Sequence, residues 1–257
     1  MMKKYFIVGS IVATLSLSLV TGVAFATHSW NGYHWARTSN PFTLKVGDNV
    51  SSGWDSYLVT TSSDWSASSV LDTTIVAGLG GKNCRATNGR VEVCNRKYGN
   101  NGWLGVAQIW INGGGHITQG VVKMNDTYFN TATYNTPAWR NLVMCQEVGH
   151  TLGLNHQDEN FDNANLNTCM DYTNNPESNQ HPNQHDYDEL VAMYAQLDAT
   201  TTLGSTVLPK GNGSEVNLDD PSTWGKSLRK DSKGNNSLFG KDLGNGEKLF
   251  TFVTWAE

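Results

Sequence analysis

The chain has 257 residues, of which 38% are hydrophobic and 16% charged, and its formal net charge is −5. Such a composition can bury a sizeable core, which excludes intrinsic disorder, collagen and coiled coil. The negative charge provides no basic face, so a protein that binds nucleic acid through its electrostatic potential is also excluded. The length is near the upper end for a single domain, and we expect one domain with an appendage.

The N-terminus has the pattern of an export signal. Lys3 and Lys4 precede a long uncharged, mostly apolar run, which ends in Ala24-Phe25-Ala26. A basic start, an apolar stretch and an A-x-A ending are typical of a secretory signal peptide, and an uncleaved anchor helix is the alternative. The sequence therefore predicts a signal peptide over 1–26 and a secreted, extracellular mature protein that leaves the membrane after cleavage.

Four cysteines remain in the mature chain, at Cys84, Cys94, Cys145 and Cys169. An even number in an exported chain favours two disulfides. Cys84 and Cys94 bracket Asn88-Gly89, a pair typical of tight hairpin turns, so we pair these two cysteines and leave Cys145 to Cys169. No C-x-x-C spacing occurs, which makes a four-cysteine zinc site a weak alternative.

Strands and turns are predicted for the first half of the mature chain. Alternating or β-branched runs indicate strands over 42–46, 73–77, 90–94, 106–111 and 116–124. A segment rich in Ser and Thr over 54–65 carries apolar residues at nearly helical spacing and can form a helix.

A clear helix start follows these strands. Thr136 can cap the helix, Pro137 suits its first position, and Gly153 is a natural stop. A last helix is predicted over 185–197 from its apolar periodicity.

The composition changes after residue 199. The segment 200–215 is rich in Thr, Gly and Ser and is typical of a linker. Residues 249–255 alternate as a strand does, so the tail over 216–257 either folds back or forms a small β-rich C-terminal appendage. We therefore expect the main domain to span 27–199.

The segment 146–156 contains side chains that can bind a metal ion and transfer a proton. It reads Gln-Glu-Val-Gly-His-Thr-Leu-Gly-Leu-Asn-His, and Cys169-Met170-Asp171-Tyr172 follows. With histidine at its first position the segment would be H-E-x-x-H-x-x-G-x-x-H, and the chain resembles the matrixin-like branch of the metzincin zinc metallopeptidases. Five of the six defining positions match, namely Glu147, His150, Gly153, His156 and the Met-turn methionine Met170. The sixth position, Gln146, departs from the pattern.

The spacing suits one metal ion. Positions 146 and 150 are one helical turn apart, and Gly153 lets the chain turn so that His156 approaches as a further ligand. Glu147 then lies beside the metal, where it can act as the general base. Gln146 is the doubtful ligand, because an amide oxygen is a weaker zinc donor than imidazole nitrogen.

Three outcomes are open for Gln146. It can bind zinc weakly while the enzyme still turns over. Another residue can supply the third ligand, and Asp158, Asp162 and the remaining histidines are candidates. Alternatively the metal site is empty and the protein is a pseudoenzyme.

The resemblance implies an α/β (α+β) fold over 27–199, with a twisted, mostly parallel sheet, an active-site helix, a Met-turn and a C-terminal helix. It implies a zinc-dependent endopeptidase that hydrolyses peptide bonds of protein or peptide substrates with metal-activated water, with Met170 at the floor of the site. Separately, we expect a monomer. A Cys145–Cys169 disulfide would clamp the helix to the Met-turn. By analogy, strand 116–124 would border the cleft and pair with extended substrate.

Two other functions compete with this interpretation. A non-catalytic pseudoprotease could keep the fold and bind extended peptides, and an aromatic-rich carbohydrate-binding module would need no metal. His28 and His34, which lie among aromatic residues, could bind metal or sugar, but we expect them to pack on the domain. No cysteine lies between the signal peptide and Cys84, so we expect no latency through a matrixin-type pro-segment cysteine.

Overall fold

The structure is a computed structural model that describes residues 1–2, 27–205 and 216–256. The predicted signal peptide, apart from its first two residues, and most of the predicted linker lie outside the described residues. Within the described ranges, no helix is long and apolar enough to cross a membrane.

Strands and helices follow one another much as the sequence predicts. Their order is β1 (His34–Trp35), β2 (Phe42–Asn49), α1 (Asp55–Trp65), β3 (Leu71–Ala77), β4 (Val91–Arg96), β5 (Trp103–Ile111), β6 (His116–Asn125), α2 (Asp126–Phe129), α3 (Pro137–Thr151), α4 (Gln184–Met193), β7 (Lys226–Lys230), β8 (Asn236–Gly244) and β9 (Glu247–Trp255). All the predicted strands and the helix expected over 54–65 are confirmed. The last predicted helix is shorter than expected, because α4 ends at Met193.

The strands form one mixed sheet in the order β3-β2-β4-β6-β5-β9-β8-β7, with β1 added beside β6. The pairings among β1, β2, β3, β4 and β6 are parallel. The pairing of β6 with β5 and all pairings among β5, β9, β8 and β7 are antiparallel. The fold is therefore of the α+β type. The expectation of a mostly parallel sheet is wrong, because the hairpin to β5 and the C-terminal strands make four of the eight pairings among the described strands antiparallel.

The prediction that strand 116–124 borders the cleft is wrong. This strand is β6, and it is hydrogen-bonded to β4 on one side and to β5 on the other. A tight turn over 112–115 folds β5 back antiparallel beside β6, which puts β5 outside it in the sheet. The position of a strand in the sheet is set by this hairpin and not by the order of strand and active-site helix along the chain.

The C-terminal strands continue the same sheet. β9 runs antiparallel to β5 from the pair Ile111–Lys248 to the pair Trp103–Trp255. A small second core lies at this junction and contains Trp103, Val106, Trp224, Phe239 and Val253. The tail thus folds back, and β9, β8 and β7 extend the sheet beyond β5 to its other edge.

Helix α3 packs on the sheet beside α1. The indole of Trp65 in α1 donates to the carbonyl of Cys145 at 3.1 Å, and the indole of Trp35 donates to the carbonyl of Thr151 at 2.9 Å. Five tryptophans are almost wholly buried, Trp35, Trp54, Trp65, Trp103 and Trp224. Their faces are core material, which weakens the argument for a carbohydrate-stacking surface, whereas Trp110, Trp139 and Trp255 are partly exposed.

Both predicted disulfides are present. Cys84 pairs with Cys94 of β4, and Cys145 of α3 pairs with Cys169 of the predicted Met-turn over 169–172. Disulfides are typical of proteins that fold in oxidising compartments.

Candidate metal centre

Helix α3 carries the predicted catalytic residues and begins as expected. The Thr136 hydroxyl accepts a hydrogen bond from the Trp139 amide at 3.3 Å, and Pro137 occupies the first turn. The chain leaves the helix through Gly153, whose φ is +97°. A side chain there would also collide with the Tyr33 carbonyl, so the turn needs glycine. This turn brings His156 back to His150.

The two predicted histidine ligands face each other. Their Nε2 atoms lie 2.9 Å apart, and both rings are buried. Nδ1 of His150 is 2.9 Å from the carbonyl of Leu154, and Nδ1 of His156 is 2.7 Å from Oε1 of Glu159. These acceptors hold the ring proton on Nδ1 of each imidazole, so the Nε2 lone pairs point at each other.

Two facing lone pairs repel unless a cation lies between them. Burial lowers the pKa of both imidazoles well below the usual value, so a shared proton is disfavoured. A tetrahedral zinc ion with bonds of 2.0–2.1 Å would hold two nitrogens about 3.3 Å apart. The observed spacing of 2.9 Å is close to this, and neutral imidazole nitrogen is a suitable zinc donor. The histidine pair therefore fits a metal ion.

Glu147 lies in α3 three residues before His150 and is completely buried. Its Oε1 accepts a hydrogen bond from the Thr254 hydroxyl at 2.7 Å, whereas its Oε2 has no hydrogen-bond partner among the described residues. Burial raises the pKa of Glu147 to about 8, and hydrogen bonds from Thr254 and the Ala107 backbone oppose that rise. A buried carboxyl group with an unused oxygen can accept a proton from a reacting group.

Gln146 does not join the histidine pair. Its Nε2 donates to the carbonyl of Cys169 at 2.9 Å, and its Oε1 accepts from the Thr254 hydroxyl at 2.6 Å. The structure thus brings His150 and His156 together, places Glu147 against Thr254 of β9, and holds the Gln146 side chain between the Met-turn and β9. Of the substitutes considered, Asp158 accepts the Asn160 amide within its own loop.

The Met-turn lies beneath α3. A Cβ atom on Gly149 would lie 2.6 Å from Sδ of Met170, so the buried methionine touches the helix next to His150. Tyr172 packs its ring on His156, with centroids 4.3 Å apart, and donates its hydroxyl to the Val253 carbonyl at 3.1 Å. The Met-turn therefore contacts both the histidine pair and β9.

Strand β9 covers the open side of the histidine pair. The ring of Phe252 stacks on His150, with centroids 4.2 Å apart and 10° between the planes. Trp30, which precedes β1, packs edge-on against Phe252 and Phe250. A cavity of about 130 Å³ remains beside Gln146, lined by Trp139, Tyr172 and Thr254 among others.

A second cluster of possible ligands lies elsewhere. His34, His116 and Asp198 could hold a metal ion, because one ligand atom of each lies within 4.8 Å of the others. His28 is buried and bonds to Asp186, as expected of a packing residue.

Several contacts of the site are not visible in the sequence motif. Glu159 follows His156 by three residues, a spacing that could have marked it as a partner of that histidine. Thr254 and Phe252 lie more than 100 residues from α3, and no spacing rule connects them to it.

A comparison with protein-family models finds no match, and a search of curated proteins finds none.

Proposed function

We propose that the chain is a zinc-dependent endopeptidase of the metzincin type. The observation that supports this most is the convergence of the two imidazole Nε2 atoms, 2.9 Å apart, with the buried Glu147, whose Oε2 is free of partners among the described residues, on the same helix as His150. Histidine lone pairs aimed at one point and a buried carboxyl group on the same helix are groups that metal-assisted hydrolysis uses.

His150 and His156 would hold the metal ion. Gln146 would supply a third, weaker donor if its Oε1 exchanged the Thr254 hydroxyl for the metal. Bound zinc would act as a Lewis acid, polarising the scissile carbonyl and lowering the pKa of water.

Other residues of the chain would transfer the proton, support the metal ligands and position the substrate. Glu147 would take the proton of the attacking water at Oε2 and return it to the leaving amine. Glu159 would keep the Nδ1 proton of His156 in place, and Met170 with the Cys145–Cys169 disulfide would support the helix from below. Substrate would lie extended along β5, on the side that β9 occupies in this structure.

The second candidate is a non-catalytic protein that binds extended peptides in the same cleft. Gln146 favours it, because this side chain is bonded to Cys169 and Thr254 and not directed at the histidines. Glu147 argues against it, since a binding protein has no need of a buried carboxyl group with an unused oxygen.

The experiment compares three forms of the mature protein, namely wild type, His150→Ala and Glu147→Gln. Zinc affinity is measured by competition with a chromophoric chelator, and hydrolysis with a mixture of quenched fluorescent peptides. We expect His150→Ala to lose the zinc that binds at this site and Glu147→Gln to keep zinc while losing any hydrolysis. Zinc binding that is unchanged in His150→Ala, or hydrolysis that survives in Glu147→Gln, would contradict the proposal.

A further inference from the structure

Strand β9 occupies the place that an extended substrate would need. It is hydrogen-bonded antiparallel along β5, from the pair Ile111–Lys248 to the pair Trp103–Trp255. Successive side chains of a strand point to opposite faces. Phe252 and Thr254 face the histidine pair and Glu147, whereas Val253 between them belongs to the core on the other side of the sheet.

A peptide that pairs with an exposed sheet edge binds through backbone hydrogen bonds that the edge has not yet used. On β5 those groups are already paired with β9. In addition, the hydroxyl of Thr254 bonds to Glu147 Oε1, the side chain proposed to act as general base. β9 therefore blocks both the backbone and the catalytic part of the cleft.

Other parts of the C-terminal segment contact the loop that carries His156. Arg229 of β7 pairs with Glu159 at 3.0 Å, and Glu159 in turn holds Nδ1 of His156. The Ser232 amide donates to the Glu159 carbonyl at 3.3 Å. Together with the bond from Tyr172 to the Val253 carbonyl, these contacts fasten the segment on both sides of the histidine pair.

We propose that the C-terminal strands β7–β9 are a built-in inhibitor that keeps the peptidase latent until β9 leaves β5, an inference that rests on the proposed function. A tethered strand has an effective concentration in the millimolar range, so a peptide at micromolar concentration does not displace it. Activation requires a change that loosens β9 itself.

The test weakens β9 at its contact with the site. Thr254→Val removes the hydroxyl that bonds to Gln146 and Glu147 and leaves these buried acceptors without it. Thr251→Val is the matched control, because it makes the same chemical change on the same strand but removes only a bond to Gln108. Phe252→Ala, which unstacks the ring from His150, is a second loosening variant.

Two readouts are taken on the zinc-loaded protein: hydrolysis of quenched fluorescent peptides and hydrogen exchange of the β5 amides. We expect Thr254→Val to raise kcat/KM by about tenfold, the effect of losing one buried hydrogen bond. Phe252→Ala, which removes the ring stacked on His150, should also raise it, and both variants should speed exchange in β5. Thr251→Val should do neither. Wild type that cleaves peptides as fast as both loosening variants would overturn the inhibitory role while leaving the peptidase intact. Faster hydrogen exchange in β5 without peptide hydrolysis in any variant would overturn the proposed peptidase function, and with it the proposed inhibitory role of β7–β9.

The cluster of His34, His116 and Asp198 supports a second and independent inference. Asp198 Oδ1 lies 3.4 Å from Nε2 of His34 and 3.8 Å from Nε2 of His116. The donors come from β1, from the first residue of β6 and from the segment after α4, so no local turn accounts for their meeting.

The surroundings of this cluster orient its donors as the shell around a metal site does. Nδ1 of His34 lies 2.8 Å from the Gly32 carbonyl, which leaves Nε2 to face Asp198. Arg37 holds the other oxygen of Asp198 through its backbone amide at 3.1 Å and its guanidinium at 2.8 Å. Nδ1 of His116 is buried without a hydrogen-bond partner among the described residues.

We infer that these three side chains form a structural site for zinc or a similar divalent transition ion, separate from the histidine pair of α3. Two imidazoles and one carboxylate suit such ions better than calcium or magnesium, which prefer oxygen ligands alone. A metal ion there would clamp the start of the mature chain to β6.

Zinc stoichiometry tests this site. We measure bound zinc and the zinc-induced rise in Tm for wild type, His116→Ala, His150→Ala and the double variant. His181→Ala is the control, since this exposed histidine pairs with Asp64 outside both clusters. We expect two zinc ions in wild type and His181→Ala, one in each single variant of the clusters and none in the double variant. Retention of both ions by His116→Ala would overturn the inference. If wild type bound one zinc ion, which His116→Ala lost and His150→Ala kept, the result would support this second site and contradict the proposed function.

Discussion

Gly149 is the position where α3 touches the Met-turn most closely, and its replacement gives a sharp test of that packing. A Cβ atom there would lie 2.6 Å from Sδ of Met170 and 2.7 Å from Cζ2 of Trp65. Carbon atoms in contact are normally 3.5–4.0 Å apart, so Gly149→Ala needs a displacement of about 1 Å. Trp65 cannot move easily, because it is wholly buried and its indole donates to the Cys145 carbonyl.

Two effects oppose each other in Gly149→Ala. Alanine in a helix interior is favoured over glycine by about 1 kcal/mol. Overpacking a tight core destabilises a protein by about 1–3 kcal/mol. Because the Trp65 ring is fixed, we expect Gly149→Ala to fall at the upper end of this range. We therefore expect a net loss of about 2 kcal/mol in the free energy of unfolding, together with weaker zinc binding at the neighbouring His150.

Urea unfolding with the disulfides intact measures this loss. Gly53→Ala is the control, since a Cβ atom at Gly53 meets nothing within 4 Å, and its effect should stay within about 0.5 kcal/mol. If Gly149→Ala were as stable as wild type or more stable, the close packing of Met170 and Trp65 against α3 would be refuted.

Three further predictions concern the ligands and their supports. Gln146→His should raise zinc affinity about tenfold or more, as measured by chelator competition, because it adds an imidazole donor one turn from His150; unchanged affinity would mean that position 146 does not reach the metal. Glu159→Gln should weaken zinc binding about 10–100-fold by removing the charged partner of His156 Nδ1, and an unchanged affinity would count against that role. The two disulfides link cysteines 24 residues apart (Cys145–Cys169) and 10 residues apart (Cys84–Cys94). Chain entropy predicts that replacing each pair by serine lowers the free energy of unfolding by about 3.5 and about 2.7 kcal/mol, respectively. Equal losses, or a larger loss for Cys84–Cys94, in urea unfolding would contradict the entropic explanation.

Local signals predicted most of the first half of the fold. The cap and first turn of α3, at Thr136 and Pro137, are set by neighbouring residues, and so is the left-handed exit at Gly153. The Cys84–Cys94 pair follows from a turn between nearby cysteines. In each case the interacting groups are close in sequence, so spacing alone determines which of them meet.

Long-range pairing could not be predicted in this way. The pairing of β9 with β5 joins segments more than 100 residues apart, and an alternating strand pattern does not say which edge it will join. The same limit hid the second cluster, in which His34 and Asp198 are 164 residues apart. The bonds of Thr254 to Gln146 and Glu147 follow from that pairing, which is why the motif alone gave no sign that the cleft is covered.

The most direct measurement of the central claim is peptide hydrolysis by zinc-loaded Thr254→Val, compared with the double variant Thr254→Val/Glu147→Gln. The single variant opens the cleft and keeps the proposed base, whereas the double variant opens the cleft without it. The account predicts cleavage by the single variant, inhibition of that cleavage by a zinc chelator, and none in the double variant at equal zinc content. No cleavage by the single variant, or equal cleavage by both, would contradict it.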